Sequence, residues 1–196
     1  MFLVVTSVAQ TPASVDKDVD AVTTPSGDAI LSFVQPGRVA KVLVKEGDSV
    51  TAGQVLIQQD DKAEKASVAQ LKLVSEDDIR IKAAQATLDQ KKVDLQNLKE
   101  ALKNGAATQF EVEHSELDVL IADLSLDLSK FQQAQDKLKY TEAFEHLERM
   151  KLLSPFAGKV EVVRIREGET TDIQTKIMRV VKIDPLWIEV AVPREL

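Results

Sequence analysis

The residues with nucleophilic, acid–base or metal-binding chemistry are few and scattered. Asp61-Lys62-Ala63, which follows the apolar run Val55-Leu56-Ile57-Gln58-Gln59, is the one motif with a possible enzymatic meaning, through the amine of Lys62. The two histidines, His114 and His146, stand 32 residues apart on what reads as one helix, a separation on the order of 48 Å. They cannot share a metal within one chain. There is no cysteine, so a thiolate nucleophile, a disulfide and a Cys-based zinc site are all excluded. Asp60-Asp61 and Asp77-Asp78 are sequence neighbours; on a helix their carboxylates face different ways and form no general acid/base pair. Neither a Gly-rich phosphate loop nor a Ser-centred nucleophile elbow occurs. Nothing here supports an enzyme, and no cofactor is implied.

The elements that would position these residues show a different emphasis, because one segment reads twice. Pro36-Gly37-Arg38-Val39-Ala40-Lys41-Val42-Leu43-Val44-Lys45-Glu46-Gly47-Asp48 returns as Ala157-Gly158-Lys159-Val160-Glu161-Val162-Val163-Arg164-Ile165-Arg166-Glu167-Gly168-Glu169, at an offset of 121. The same offset carries Leu56-Ile57 onto Ile177-Met178. Each copy reads as a Gly turn, a strand, a Glu-Gly turn and a second apolar strand, half of a small β-sandwich. Neither half can bury its apolar face alone, so Val39, Val42, Val44, Leu56 and Ile57 are expected to pack on Val160, Val163, Ile165, Ile177 and Met178.

Between the copies the chain is strongly helical, with neither Pro nor Gly from about Ala63 to Asn104. Val74, Ile81, Leu88, Leu95 and Leu102 recur every seven residues, with Ala84 and Leu98 in a second column that also holds Asp77 and Lys91. Beyond the break, Phe110, Leu117, Leu124, Phe131 and Leu138 recur likewise, with Ile121 and Leu128 in a second column shared by His114 and Gln135. Such sustained heptads predict a coiled coil. Gly105 supplies a left-handed helix end, and Thr108 with Glu111 completes a capping box. The reading is an antiparallel hairpin with arms of roughly 40 residues, about 60 Å long. Leu88, Leu95, Leu98, Leu117, Leu124 and Leu128 are expected between the arms.

Only eight residues are aromatic and the net charge is −7 with acids and lysines interspersed. Several small cores are therefore expected rather than one large one, and no basic face offers itself to nucleic acid. Met1–Gln10 is apolar, too short to span a bilayer and without the basic region of a complete export signal. Residues 11–28 read as a flexible lead-in. Leu186–Val192 alternates like a strand, which needs a sheet to join.

Two resemblances follow from these residues. Lys45–Gln54 and the strand before Asp61-Lys62-Ala63 resemble lipoyl carrier domains, which implies a modifiable lysine at Lys62. In a carrier, however, that lysine tips a tight hairpin and the second half-motif follows at once, whereas here a long helical stretch intervenes. The whole order resembles the membrane fusion proteins, or periplasmic adaptor subunits, of bacterial efflux and secretion pumps. The matching residues are Val34–Val39 with Val44–Val50, Leu153–Val160 with Arg166–Glu169, and Ile183–Val190. That resemblance implies lipoyl-like domains ringed around an export path and hairpins that dock through their tips on an outer-membrane channel. The family's tip pattern has an Arg-Leu pair, a further Leu and a Ser, where this chain has Asn97-Leu98, Ala101, Thr108 and Val112; Leu98 and the hydroxyl of Thr108 fit, while the Arg and the later Leu positions do not.

The expected fold is α+β: a lipoyl-like β-sandwich built from two sequence-separated halves and interrupted by a long antiparallel coiled-coil hairpin. A trailing strand would begin a possible β-barrel. The expected segments are a flexible 1–28, a first half at 29–62, the hairpin at 63–150 with its tip at 104–108, a second half at 151–182, and the start of a further β domain at 183–196. The expected function is a non-catalytic adaptor at the inner membrane, in the periplasm or cell envelope. Its expected partners are an inner-membrane transporter, proton-driven or ATP-driven, an outer-membrane channel or other envelope protein, and further copies of itself in a ring or dimer. The docking residues would be Leu98, Asn104, Gly105, Ala106, Ala107, Thr108 and Phe110. The alternative is a lipoyl- or biotinyl-type carrier modified at Lys62.

Overall fold

The computed structural model describes residues 21–190. Eight strands and three helices follow in the order β1 (Ala21–Leu31), β2 (Gly37–Val42), β3 (Ser49–Val50), β4 (Val55–Gln59), α1 (Lys62–Glu76), α2 (Ile79–Lys103), α3 (Gln109–Glu148), β5 (Lys151–Leu153), β6 (Gly158–Val163), β7 (Thr170–Thr171) and β8 (Met178–Val190). The strands form two four-stranded sheets, ordered β1-β8-β6-β3 and β5-β4-β2-β7.

The 121-residue offset turns one sheet into the other. It carries β2 onto β6, β3 onto β7, β4 onto the start of β8, and Leu31 of β1 onto Leu152 of β5. The two copies are not simply stacked. Each lends its short strand to the other's sheet, β3 pairing with β6 and β7 with β2. Hydrogen bonds between the copies come in equivalent pairs: Gly47 N–H donates to the Val160 carbonyl at 2.8 Å, and Gly168 N–H to the Val39 carbonyl at 2.9 Å. Both glycines have φ near +90°, 89° and 88°, a conformation that other residues adopt only with strain.

The ten residues expected to meet between the copies do so. Val39, Val44, Leu56, Ile57, Val160, Ile165, Ile177 and Met178 are buried in one cluster, with Val42 and Val163 packed against it. Phe33, Val50, Leu152 and Val180 complete it.

Two sequence expectations are revised at the ends. Residues 21–28 belong to strand β1 rather than to a flexible lead-in; residues 1–20 lie outside the described residues. The polar run could be extended because β8 is long enough to pair it, Ala21–Pro25 lying against Leu186–Val190. Residues 183–190 continue β8 without a break, and all are exposed; residues 191–196 lie outside the described residues.

The hairpin's first arm is bent. Asp77 leaves the helical conformation (φ −70°, ψ 115°) and divides the arm into α1 and α2. Its carboxylate accepts the N–H of Ile79 at 2.9 Å, and Gln133 on α3 donates to its carbonyl at 3.2 Å. Short acidic side chains compete with the helix ladder in this way.

On α2 the predicted seam holds. Ile81, Ala84, Leu88, Lys91, Leu95, Leu98 and Leu102 are all buried or half-buried. On α3 it is displaced. The inward stripe is Val112, Ser115, Val119, Ala122 and Leu126, continuing through Ser129, Gln133, Asp136, Tyr140, Ala143 and Leu147 at alternating spacings of three and four. Leu117, Leu124 and Leu128, expected inside, are 51%, 60% and 56% exposed. Phe110, Ile121, Phe131 and Leu138 share their outer face.

Two features choose this rotation of α3. The bulky Leu88 packs against the small Ala122 beside Leu126, an interleaving of large and small that lets helices approach. Three ion pairs also join the arms: Lys91 to Asp118 at 2.8 Å, Lys99 to Glu116 at 2.7 Å and Arg80 to Asp136 at 2.9 Å. Each is individually weak at a surface, but turning the outer stripe inward would break all three.

Candidate functional site: the hairpin tip

The tip is a short connection closed at both ends. Asn104 caps α2, and Gly105 follows with φ +71°. Gly105 N–H donates to the Leu102 carbonyl at 3.0 Å, and Ala106 N–H to the Ala101 carbonyl at 2.8 Å. These two bonds are a Schellman motif, which needs the left-handed residue that Gly105 supplies. Across the turn, Thr108 caps α3: its hydroxyl accepts the N–H of Glu111 at 3.3 Å, and the Glu111 carboxylate accepts the N–H of Thr108 at 2.7 Å. The Thr108 N–H and then its hydroxyl, which donates to the same carboxylate at 2.9 Å, hold the Glu111 carboxyl below its ordinary pKa of 4.5.

Two bare helix ends would offer open backbone groups to a partner. The caps satisfy several of them, the carbonyls of Ala101 and Leu102 and the N–H of Glu111. What the tip presents is instead small and polar surface: Asn104, Gly105, Ala106 and Thr108 are exposed, and Ala107 is half-buried. Phe110 is 76% exposed and stacks on His114 at a centroid separation of 6.5 Å. It does not close a layer between the arms.

Leu98 is half-buried and lines an open groove of about 310 Å³ with Phe110, His114 and the Lys91–Asp118 pair. The hydrogen bond from Lys91 holds the Asp118 carboxyl below its ordinary pKa and raises that of Lys91. Lys91, read from sequence as a polar fault in the seam, is thus an interhelical link. Val112, where the family pattern expects a leucine, is buried in the inner seam.

The other chemistry-bearing residues stay apart. Lys62 is the first residue of α1, exposed, and not at the tip of a hairpin turn. Its neighbour Asp61 is buried, pairing with Lys65 at 2.9 Å and accepting a hydrogen bond from Gln58. His114 lies near the tip, whereas His146 is in the last turn of α3. Among the described residues no group of three or more His, Asp and Glu gathers as a metal site, and no helix is long and apolar enough to cross a membrane.

A mixed α/β chain with a helical hairpin set between two related sheet halves defines a recognisable class. The resemblance read from the sequence holds in the structure: the fold is that of the membrane fusion proteins. MacA from Actinobacillus actinomycetemcomitans superimposes with a TM-score of 0.71 over 87% of this chain and 56% of its own, at 18% identity. The membrane fusion protein Spr0693 from Streptococcus pneumoniae gives 0.55 over 88% of this chain and 67% of its own, at 17% identity. In sequence, an uncharacterized protein of Haemophilus influenzae is 27% identical over 169 residues, covering 85% of this chain and 37% of the relative. The multidrug export protein EmrA of the same organism is 24% identical over 186 residues, covering 78% and 48%. The chain thus spans less than half the length of either relative. No family model matches it.

Proposed function

We propose that this chain is the sandwich-and-hairpin part of a periplasmic adaptor, or membrane fusion, subunit. It bridges an inner-membrane transporter to an outer-membrane channel or other envelope protein, for efflux or secretion. The two related sheets are its lipoyl-like sandwich, formed by segments 29–62 and 151–182 and extended by residues 21–28 and 183–190, and the hairpin of 63–150 is its reach. The sandwiches associate side by side around the export path, at the periplasmic side of the inner membrane.

The observation that carries this reading is the hairpin. An α3 of 40 residues is about 60 Å long and ends in a capped, exposed turn far in sequence from the sheets. So long an element contributes little core per residue, and its use lies in what its far end touches. Docking is assigned to Leu98, Asn104, Gly105, Ala106, Ala107, Thr108 and Phe110, where small residues permit close approach of a partner's helices. The role is non-catalytic. A carrier role for Lys62 lacks comparable support, because the lysine opens a helix instead of standing on a turn that a ligase could grip.

The test is co-purification of the envelope partner with the tagged full chain and with Asn104→Arg/Ala106→Arg. Both positions are exposed, and neither change removes a capping bond. The variant should keep its helical circular dichroism and lose the partner. Retention of the partner at parental level contradicts tip docking.

A further inference from the structure

We propose that the hairpin is jointed midway: its distal part, α2 with the first half of α3, pivots as one unit at Asp77 and lets the tip sweep an arc. This goes beyond the adaptor reading and does not depend on it. The starting point is where the two arms bury apolar surface. At the base, Val68 of α1 packs with Leu147 and Met150, beside Tyr140 and Ala143. Toward the tip, Leu88 packs with Ala122 and Leu126, beside Ile81, Ala84 and Val119. The two clusters are separate. Between Leu126 and Tyr140 the inward residues of α3 are Ser129, Gln132, Gln133 and Asp136, all polar, while Leu128, Phe131 and Leu138 of the same stretch are exposed. Opposite them on the first arm, Ser75 is buried and Asp78 half-buried, while Leu73, Val74 and Ile79 are exposed.

This polar gap coincides with the break in the first arm. Asp77 already lies outside the helical conformation, and a residue at an element end is where hinges absorb changes of φ and ψ. On the other arm the Ser129 hydroxyl donates to the Ser125 carbonyl at 2.9 Å, a contact that eases bending of the continuous α3. The arms are held together here by polar contacts. Gln133 donates to the Asp77 carbonyl at 3.2 Å, and Asp136 pairs with Arg80 at 2.9 Å and Lys139 at 3.3 Å. Such contacts are individually weak and can break and re-form, whereas a close-packed apolar layer resists displacement. The base is fixed by contrast: Met150 packs with Val68, and its carbonyl accepts the N–H of Gln59 on β4 at 3.0 Å. Gln109, where α3 starts, is 24 residues before Gln133, about 36 Å along the helix. A swing of about 15°, short of a sharp kink, therefore moves the tip by roughly 10 Å. On the adaptor reading, that arc is the range over which the tip is offered to a partner.

Hydrogen exchange on the purified full chain tests the joint. Amides of 129–136 should exchange about tenfold faster than those of 119–126 and 140–147, although α3 is continuous through all three. The chain has no cysteine, so pairs of spin labels on introduced cysteines report the swing. Gln70→Cys with Lys92→Cys spans the joint, and Ala83→Cys with Glu100→Cys lies within α2; all four positions are exposed. The spanning pair should give the broader distance distribution. Arg80→Ala/Gln133→Ala, which removes the polar contacts, should broaden it further and leave the pair within α2 unchanged. Uniform protection along α3 overturns the proposal. So do two distributions of equal width, or a spanning pair indifferent to Arg80→Ala/Gln133→Ala. A rigid hairpin would leave the adaptor reading standing, since that reading is tested at the tip.

Discussion

The Glu46 carboxylate accepts the backbone N–H of Val163 at 2.9 Å, and its equivalent 121 residues later, Glu167, accepts the N–H of Val42 at 3.0 Å. Each copy of the repeat thus reaches across and satisfies the strand end of the other. Glu46→Ala and Glu167→Ala should therefore destabilise by similar amounts, about 0.5–1.5 kcal/mol each. The two bonds share no partner, so the double variant should lose the sum to within about 0.5 kcal/mol. Urea denaturation measures this, and a large difference between the single variants would contradict the two-fold equivalence.

Gly47→Val should cost about 1–3 kcal/mol through backbone strain alone, because an added side chain meets nothing within 4 Å. Gly168→Val should match it, since that site is equally open and shares the same φ. Variants as stable as the parent would show that the left-handed turns are not required.

The rotation of α3 is open to the same treatment. Leu88, 1% exposed, lies in the inner seam, whereas Leu124 is 60% exposed. Leu88→Ala should cost about 2–3 kcal/mol and Leu124→Ala about 0.5 kcal/mol or less. Thermal melts followed at a helical wavelength give both values. The reverse order would restore the rotation expected from sequence.

Acidification tests the cap at Thr108. The folded state holds the Glu111 carboxyl below its ordinary pKa of 4.5, so its contribution is fully present above that value. It is lost as pH falls through the lowered folded-state pKa. Glu111→Gln should be less stable than the parent near neutral pH, and the gap should close in acid. A gap that stays constant with pH would remove the carboxylate from the account.

The features legible in the sequence were those that repeat. The 121-residue offset identified ten residues of the sheet core, because buried strand positions tolerate few residue types, and missed the equally buried Phe33, Val50, Leu152 and Val180. Gly105, Thr108 and Glu111 were legible because capping needs particular residues at fixed spacing. The rotation of α3 was not, because a helix with two apolar stripes has two heptad readings and size alone favoured the wrong one. Asp118 and Asp136, whose partners Lys91 and Arg80 lie on the other arm, carried the deciding signal. The break at Asp77 was also hidden, since aspartate is ordinary on a solvated helix face. Residues 21–28 looked like linker because their polar composition conceals pairing with a strand more than 150 residues away.

The central claim, that this chain works as an adaptor through its tip, is tested most directly by export in cells carrying the full-length protein with its transporter. Substrate efflux should be compared for the parent, Asn104→Arg/Ala106→Arg and Lys62→Ala, at equal protein levels. The account predicts that efflux is lost in the tip variant and unchanged in Lys62→Ala. Parental efflux from the tip variant, or its loss in Lys62→Ala, would contradict it.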